Sequence, residues 1–290
     1  METAPKEPMS RQGSDTLDEI SATDLTLSVG TDGPESLFEA AGDGDAPSLR
    51  TLLDRGADVN LRTPFGWTPL TWAASVAPVE TVGILMEAGA DADNQDQYGS
   101  TALIRAARRG DERIIELLLA GGADPNARNV FGASALLWAC LGGRSKIAEL
   151  LLDKGADPHL QAPGGETALM WACREGHLAT ARLLVAKGAD VDACDAHWGG
   201  TPLMWASRRG HAGVVSMLLK HGADVRRRDL HGRTCLFWAC LVGHVSAARH
   251  LLAGGVDPRA ADASGRTARD WASIAGHGEV LDLLAEYGST

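Results

Sequence analysis

From about residue 34 onward the apolar residues arrive in paired bursts. In the first burst of each pair Leu, Ala and Trp recur over about eight residues, as in LMWAC at 169–173 and LMWAS at 203–207. It opens on Thr-Pro or Thr-Ala, and Thr is a good N-cap while Pro is tolerated at the first helical position. A Gly-His then breaks it, at Gly176-His177, Gly210-His211, Gly243-His244 and Gly276-His277. The second burst is denser, as at Ile115 to Leu119, Ile147 to Leu152, Leu183 to Val185 and Val214 to Leu219. It stops at Gly-Ala-Asp, where glycine suits the left-handed position past a helix end. Each pair therefore predicts two short antiparallel helices and a turn-rich link to the next pair.

The register is strict. The Gly-x-Thr/Ser before the first helix stands at Gly66, Gly99, Gly132, Gly165, Gly199, Gly232 and Gly265, a spacing of 33 at every step but the 34 between Gly165 and Gly199. An extra residue near His197 accounts for the exception. A degenerate unit, from about Pro34 to Thr63, precedes them. Repeats of this period build solenoids. The Gly-x-Thr-Pro-Leu, two-helix, Gly-Ala-Asp pattern resembles the ankyrin repeat. The resemblance implies an all-α solenoid of helix-turn-helix units with projecting β-hairpin-like loops. Its units lie near 34–64, 65–97, 98–130, 131–163, 164–197, 198–230, 231–263 and 264–290, forming one domain over 34–290. The end units depart from the pattern, the last carrying Arg269-Asp270 where inner units carry apolar residues, as capping repeats should. Residues 1–33, with seven Asp/Glu against two Lys/Arg and few large apolar residues, are expected to form a disordered acidic, Ser/Thr-containing tail.

Trp-Ala recurs at Trp72, Trp138, Trp171, Trp205, Trp238 and Trp271. At about 100° per residue, Leu169, Ala172 and Cys173 share one face, and Trp171 falls nearly opposite, beside Arg174 and Glu175. In the fold implied by the resemblance the first helices line the concave side. Trp138, Trp171, Trp205 and Trp238 are then expected to form a ladder in the groove, with Arg105 interrupting it. Arg108, Arg109, Arg174, Arg208 and Arg209 sit alongside. Apolar patches at Leu141 and at Leu241, Val242 and Ile274 alternate with them. Trp and Arg are the residue types enriched at binding hot spots, and Arg pairs bidentately with carboxylates. The competing reading makes the ladder packing between repeats. A second surface is the row of loop tips, Phe65, Trp67, Tyr98, Phe131 and Trp198.

Charge and chemistry narrow the classes. The formal net charge of −11 argues against nucleic acid, whose binders neutralise phosphates with Lys and Arg. No secretory signal, no apolar run of about 18 residues and no Cys-x-x-Cys pair is present. An intracellular protein of cytoplasm or nucleus, with no membrane span, is expected. His177, His211, His244 and His277 fall at one repeat position, and Cys140, Cys173 and Cys240 at another occupied by Ala or Ser; both sets read as structural. No phosphate-binding loop or zinc motif occurs, so no catalysis, cofactor or metal is expected. The resemblance also places Asn60 and Asn126 at a position that an intracellular asparaginyl hydroxylase modifies in similar repeats. The leading expectation is a monomeric, non-catalytic scaffold or adaptor. It would hold an acidic-apolar peptide or helix in the Trp/Arg-lined groove. Alternatives are a regulatory or targeting subunit that grips a folded enzyme through its loop tips, and a purely structural ladder.

Overall fold

The computed structural model describes residues 34–288, so the acidic stretch 1–33 lies outside the described residues. Helices follow in eight pairs: α1 (Pro34–Asp43) and α2 (Ala46–Asp54), α3 (Pro69–Val76) and α4 (Val79–Glu87), α5 (Ala102–Arg109) and α6 (Glu112–Ala120), α7 (Ala135–Leu141) and α8 (Ser145–Asp153). The series continues with α9 (Ala168–Glu175) and α10 (Leu178–Ala186), α11 (Pro202–Arg209) and α12 (Ala212–Lys220), α13 (Cys235–Val242) and α14 (Val245–Ala253), α15 (Ala268–Ala275) and α16 (Gly278–Gly288). Odd-numbered helices stack on one another as an inner row, and even-numbered helices form an outer row. The architecture is all-α; the pairing between strands is limited, among the described residues, to isolated bridges such as Arg128 with Ser134.

The start of each inner helix is set locally. Thr68, Thr101, Ser134, Thr167, Thr201 and Thr267 each accept a hydrogen bond from the backbone N–H three residues on. Each such cap contributes about 1 kcal/mol. Close approach of the inner row depends on small residues. Ala73, Ala106, Ala139, Ala172, Ala206, Ala239 and Ala272 are all fully buried. The next column, Ala74, Ala107, Cys140, Cys173, Ser207 and Cys240, is buried as well. Burial pushes the Cys140, Cys173 and Cys240 thiols up, with Cys140 adding to the rise at Cys173, which keeps them inert. Ser273, in that column of the eighth unit, is exposed, since no further described repeat lies against it.

The inner helices end on carbonyls that lack helical partners, and the following repeat supplies the donors. His177 Nε2 donates to the Leu141 carbonyl at 3.0 Å, His211 to Arg174 at 2.9 Å, His244 to Arg208 at 3.1 Å and His277 to Leu241 at 3.1 Å. Arg144 stands at the same repeat position and donates to the Ala107, Arg108 and Arg109 carbonyls. Asp111 occupies it in the unit before and has no donor to offer; there Arg109 Nη1 reaches Ala77 O at 2.6 Å instead. These histidines also explain the glycines that face them. Gly176 has φ +78, and a Cβ there would lie 2.5 Å from the His211 ring.

The hairpins are joined tip to tip by backbone hydrogen bonds. Gln97 N–H donates to Phe65 O, Val130 to Tyr98, Ala196 to Gly164, Leu230 to Trp198 and Ala263 to His231, all at 2.8–2.9 Å. One rung is missing. The equivalent donor for the Phe131 carbonyl is residue 163, a proline, which has no N–H. The base of the same junction is still held, because Asn126 Oδ1 accepts from Asp157 N–H at 2.8 Å.

Two outcomes are expected. In Pro163→Ala the amide introduced at position 163 should exchange with deuterium as slowly as those of Val130 and Ala196. Fast exchange there would show that the hairpins stand too far apart for the rung to form. The second concerns His244, whose pKa burial pushes below the ordinary 6.5, with His211 and His277 adding to the shift against the bond to Arg208. The unfolded chain then takes up a proton first. The stabilisation is complete above about pH 6.5 and is lost as pH falls through the folded value. His244→Gln keeps an N–H donor but does not titrate. Its melting temperature should fall less between pH 7 and pH 5 than that of the wild type; parallel curves would refute the linkage.

Candidate functional site

Five of the seven hairpins are folded around one carboxylate or carboxamide; Thr63 and Ala162 stand at that position in the other two. Asp96 Oδ1 accepts from the Tyr98 and Ser100 N–H groups. Asn129, Asp195, Asp229 and Asp262 do the same in their own turns. The second oxygen of Asp96, Asp195 and Asp262 is turned towards the inner helix of the same unit. Trp205 Nε1 donates to Asp195 Oδ2 at 3.1 Å, and Trp271 Nε1 to Asp262 Oδ2 at 2.9 Å. In the third unit Arg105 stands in the tryptophan position and forms a buried ion pair with Asp96. Hydrogen bonds from Ser264, Arg266 and Trp271 outweigh the burial that pushes the Asp262 carboxyl up, and hold it below the usual carboxylate range.

The tryptophans therefore do not stand in an open groove. Trp171, Trp205 and Trp238 are 7%, 5% and 1% exposed, and Trp138 is half-buried. A helical side chain covers the turn N-terminal to its own Cα. The ring thus lies over the base of its hairpin, where the adjacent unit closes on it. A wheel drawn for one helix leaves out that neighbour. Arginines fill the spaces between rings. The Arg174 guanidinium lies 4.8 Å from the Trp171 ring and 5.5 Å from Trp205, and Arg105 lies 4.3 Å from Trp67. Arg208 and Arg233 lie 5.0 and 4.4 Å from Trp238, and Arg108 lies 5.5 Å from Trp138. Desolvated contacts of this kind contribute up to about 2 kcal/mol each. Two members of the expected basic row, Arg105 and Arg174, are thereby buried.

The loop-tip set also divides. Phe65 and Phe131 are exposed and Tyr98 is half-exposed, but Trp67 and Trp198 are buried. The extra residue near His197 lets the chain turn inward, and Trp198 packs edge-on against Trp205 and Trp238 at ring-centroid distances of 5.3 and 4.9 Å. Two tips that sequence reasoning did not single out, Val130 and Leu230, are 62% and 70% exposed. Their signal was positional: both are apolar residues two places before the hairpin glycine. Asn60 and Asn126 are half-exposed, and each Oδ1 accepts the backbone N–H that opens the next hairpin, at 2.8 Å. Asp93 and Asp192 make the same bond, so this position is an inter-repeat staple.

What remains open to solvent on the inner row is a line of helix C-terminal residues, one set per repeat. In order they are Val76, Arg108 with Arg109, Leu141, Glu175, Arg208 with Arg209, Leu241 with Val242, and Ile274. Val76, Val242 and Ile274 are exposed apolar side chains, Arg109 and Arg209 are exposed cations, and Arg108 and Arg208 are half-exposed. Burial lowers the Arg108 pKa from its ordinary value. Among the described residues no cluster of His, Cys, Asp and Glu is placed to hold a metal ion, and no helix is long and apolar enough to cross a membrane.

A family model described as ankyrin repeats (3 copies) matches residues 37–129, 77–162, 136–229 and 227–290. Two curated relatives share part of this region. Ankyrin repeat, SAM and basic leucine zipper domain-containing protein 1 of Oryctolagus cuniculus is 44% identical over 50 residues, 17% of this chain and 10% of the relative. Its counterpart from Eulemur macaco macaco is 40% identical over 55 residues, 19% of this chain and 11% of the relative. The chain thus spans about a tenth of the length of these relatives.

The hairpin acceptors distinguish otherwise similar tryptophans. The indole nitrogens of Trp138, Trp171 and Trp238 are buried with no hydrogen-bond partner. Their own hairpins carry Asn129, Ala162 and an Asp229 already engaged by Arg233. Trp205→Phe should therefore cost about 1–2 kcal/mol more than Trp171→Phe in urea unfolding, because it removes one of the two hydrogen bonds to the buried Asp195 Oδ2, leaving only that from Gly200 N–H. Equal losses would mean that the Asp195 bond adds nothing to stability.

Proposed function

Because the chain belongs to the ankyrin-repeat family, whose members are in general protein–protein interaction modules, we propose that it is a binding scaffold. Its ligand is an extended or helical segment of a protein partner bearing acidic and apolar residues. The contact runs along the exposed C-terminal ends of the inner helices. The observation that carries this reading is the alternation of exposed apolar and cationic residues there. Val76, Leu141, Val242 and Ile274 are interleaved with Arg108, Arg109, Arg208 and Arg209. The buried tryptophans hold this line rigid and contribute to affinity by pre-organisation, which lowers the ordering cost of binding. The partner-binding role expected of Trp171, Trp205 and Trp238 is thus indirect, while Trp138 keeps a partly open face.

A second reading has its own support. Phe65, Val130, Phe131 and Leu230 project from the hairpin tips with 39–70% of their surface exposed. Exposed apolar side chains on one edge suit a folded partner. In that case Phe131→Ala and Leu230→Ala abolish binding while arginine changes leave it intact.

The test is a peptide-library selection on residues 34–290, run beside an Arg108→Glu, Arg209→Glu double variant matched by thermal melting. Acidic-apolar peptides should enrich on the first and weaken by at least about tenfold on the second, as loss of two charge-assisted contacts implies. If the same peptides bind both proteins equally, the inner row is not the contact surface.

A further inference from the structure

The groove proposed above has a candidate occupant within the same chain. Residues 15–29, DTLDEISATDLTLSV, carry Asp15, Asp18, Glu19 and Asp24 with no Lys or Arg. Leu17, Ile20, Leu25, Leu27 and Val29 are interspersed with them. That is the composition the exposed inner row complements. We propose that this segment docks in cis along the inner-helix C-termini and competes there with partner proteins. The proposal rests on the reading of the groove given above.

Reach and spacing both support it. Residue 33 joins directly to Pro34, the first residue of α1. Leu27 lies seven residues before Pro34, and seven extended residues span up to about 23 Å. Val76 stands at the far end of α3, one helix along, and a helix of ten residues is about 15 Å long with a lateral step of about 8–10 Å. Leu27 can therefore reach Val76. From there a chain following a polyproline II path, with every third side chain on one face, advances about 9 Å every three residues, close to one repeat per step.

Taken in threes, Leu27 meets Val76, and Asp24 meets Arg108 and Arg109. Ser21, beside Ile20, meets Leu141. Asp15 meets Arg208 and Arg209, about 28 Å beyond Asp24 and three helix steps of about 8–10 Å beyond Arg108. An apolar residue thus faces an apolar one at one repeat, with Ile20 next to the Leu141 contact at a second, and carboxylates face arginine pairs at two. Asp18 is the poorer match: it falls at the repeat where Glu175 is exposed and Arg174 is buried beneath it.

The experiment compares the full chain with a full-chain variant carrying Asp15→Lys, Asp18→Lys, Glu19→Lys and Asp24→Lys. The probe is a fluorescent synthetic peptide of residues 15–29, read by anisotropy at low salt. A tethered competitor acts at an effective concentration of about millimolar. The variant should therefore bind the probe at least about tenfold more tightly than the wild type. Adding Arg109→Glu and Arg209→Glu to the variant should remove that binding. Amide exchange at residues 108–110 and 208–210 should be slower in the wild type than in the four-lysine variant, a readout that needs no probe. Equal probe affinity for wild type and variant overturns occupancy in cis and leaves the groove reading standing. No probe binding to either protein overturns the segment as a groove ligand, and the library selection on residues 34–290 then decides the groove separately. Equal melting temperatures establish that the four charge changes leave the fold intact.

Discussion

Everything in this molecule depends on the fact that an inner helix of seven or eight residues cannot satisfy or bury itself. A helix that short leaves most of its backbone carbonyls at the C-terminus without partners, and its Leu-Ala face covers nothing until a second copy lies against it. The remedy is lateral. The next repeat brings an alanine to the contact and an imidazole or guanidinium to the open carbonyls, and so on from Ala77 to Leu241. Each unit completes its predecessor. Stability then accumulates between neighbours rather than within units, as expected of a quasi-one-dimensional array.

The tryptophans serve the same constraint at the other end of the inner helix. Thr and Ser caps settle the first turn, but the hairpin that precedes it must be fastened to the stack. Where Asp195 or Asp262 turns its second oxygen to the inner helix, an indole N–H fastens it; in the third unit Arg105 does so with a charge. Arginines held between rings, such as Arg174, turn the row into alternating cation and π-face. Edge-on ring pairs such as Trp198 with Trp238 add about 0.5–1.5 kcal/mol each. A chain with so few aromatic residues thus concentrates them on the side of the inner row where hairpin meets helix.

Much of this was legible in the sequence because it is written once per repeat. The Gly-x-Thr register located the helix starts, the Gly-His pairs located the helix ends, and the interchange of Ala, Cys and Ser at one position marked a small buried column. The facing of Trp171, Trp205 and Trp238 was not legible. A helical wheel knows the phase of a residue and nothing of the hairpin that folds over it. Arg105 and Arg174 misled for the same reason: in sequence a buried, ring-stacked arginine looks like a solvated one. The burial of Trp198 turned on a single inserted residue, whose effect on the path of a hairpin no periodicity reports. The carboxylates beneath the rings did have a signal, an Asp or Asn three or four places before five of the seven hairpin glycines, but its meaning required the tryptophan to be in place.

The missing rung at Pro163 bears on how the stack behaves as an elastic body. Six hairpin junctions run along one edge of a curved rod, and five carry the same backbone tie. The rod is therefore not uniform along its length. A force that splays the hairpins meets a backbone tie at the tip of every junction except the one beside Phe131, which is held by Asn126 at its base and by the Arg128 side chain on the Gln161 carbonyl. Curvature changes will concentrate there, and the two segments on either side will move as stiffer arms about it. The radius of the concave face is thereby adjustable at one place between Leu141 and Glu175, near the middle of the line along which a long ligand would lie.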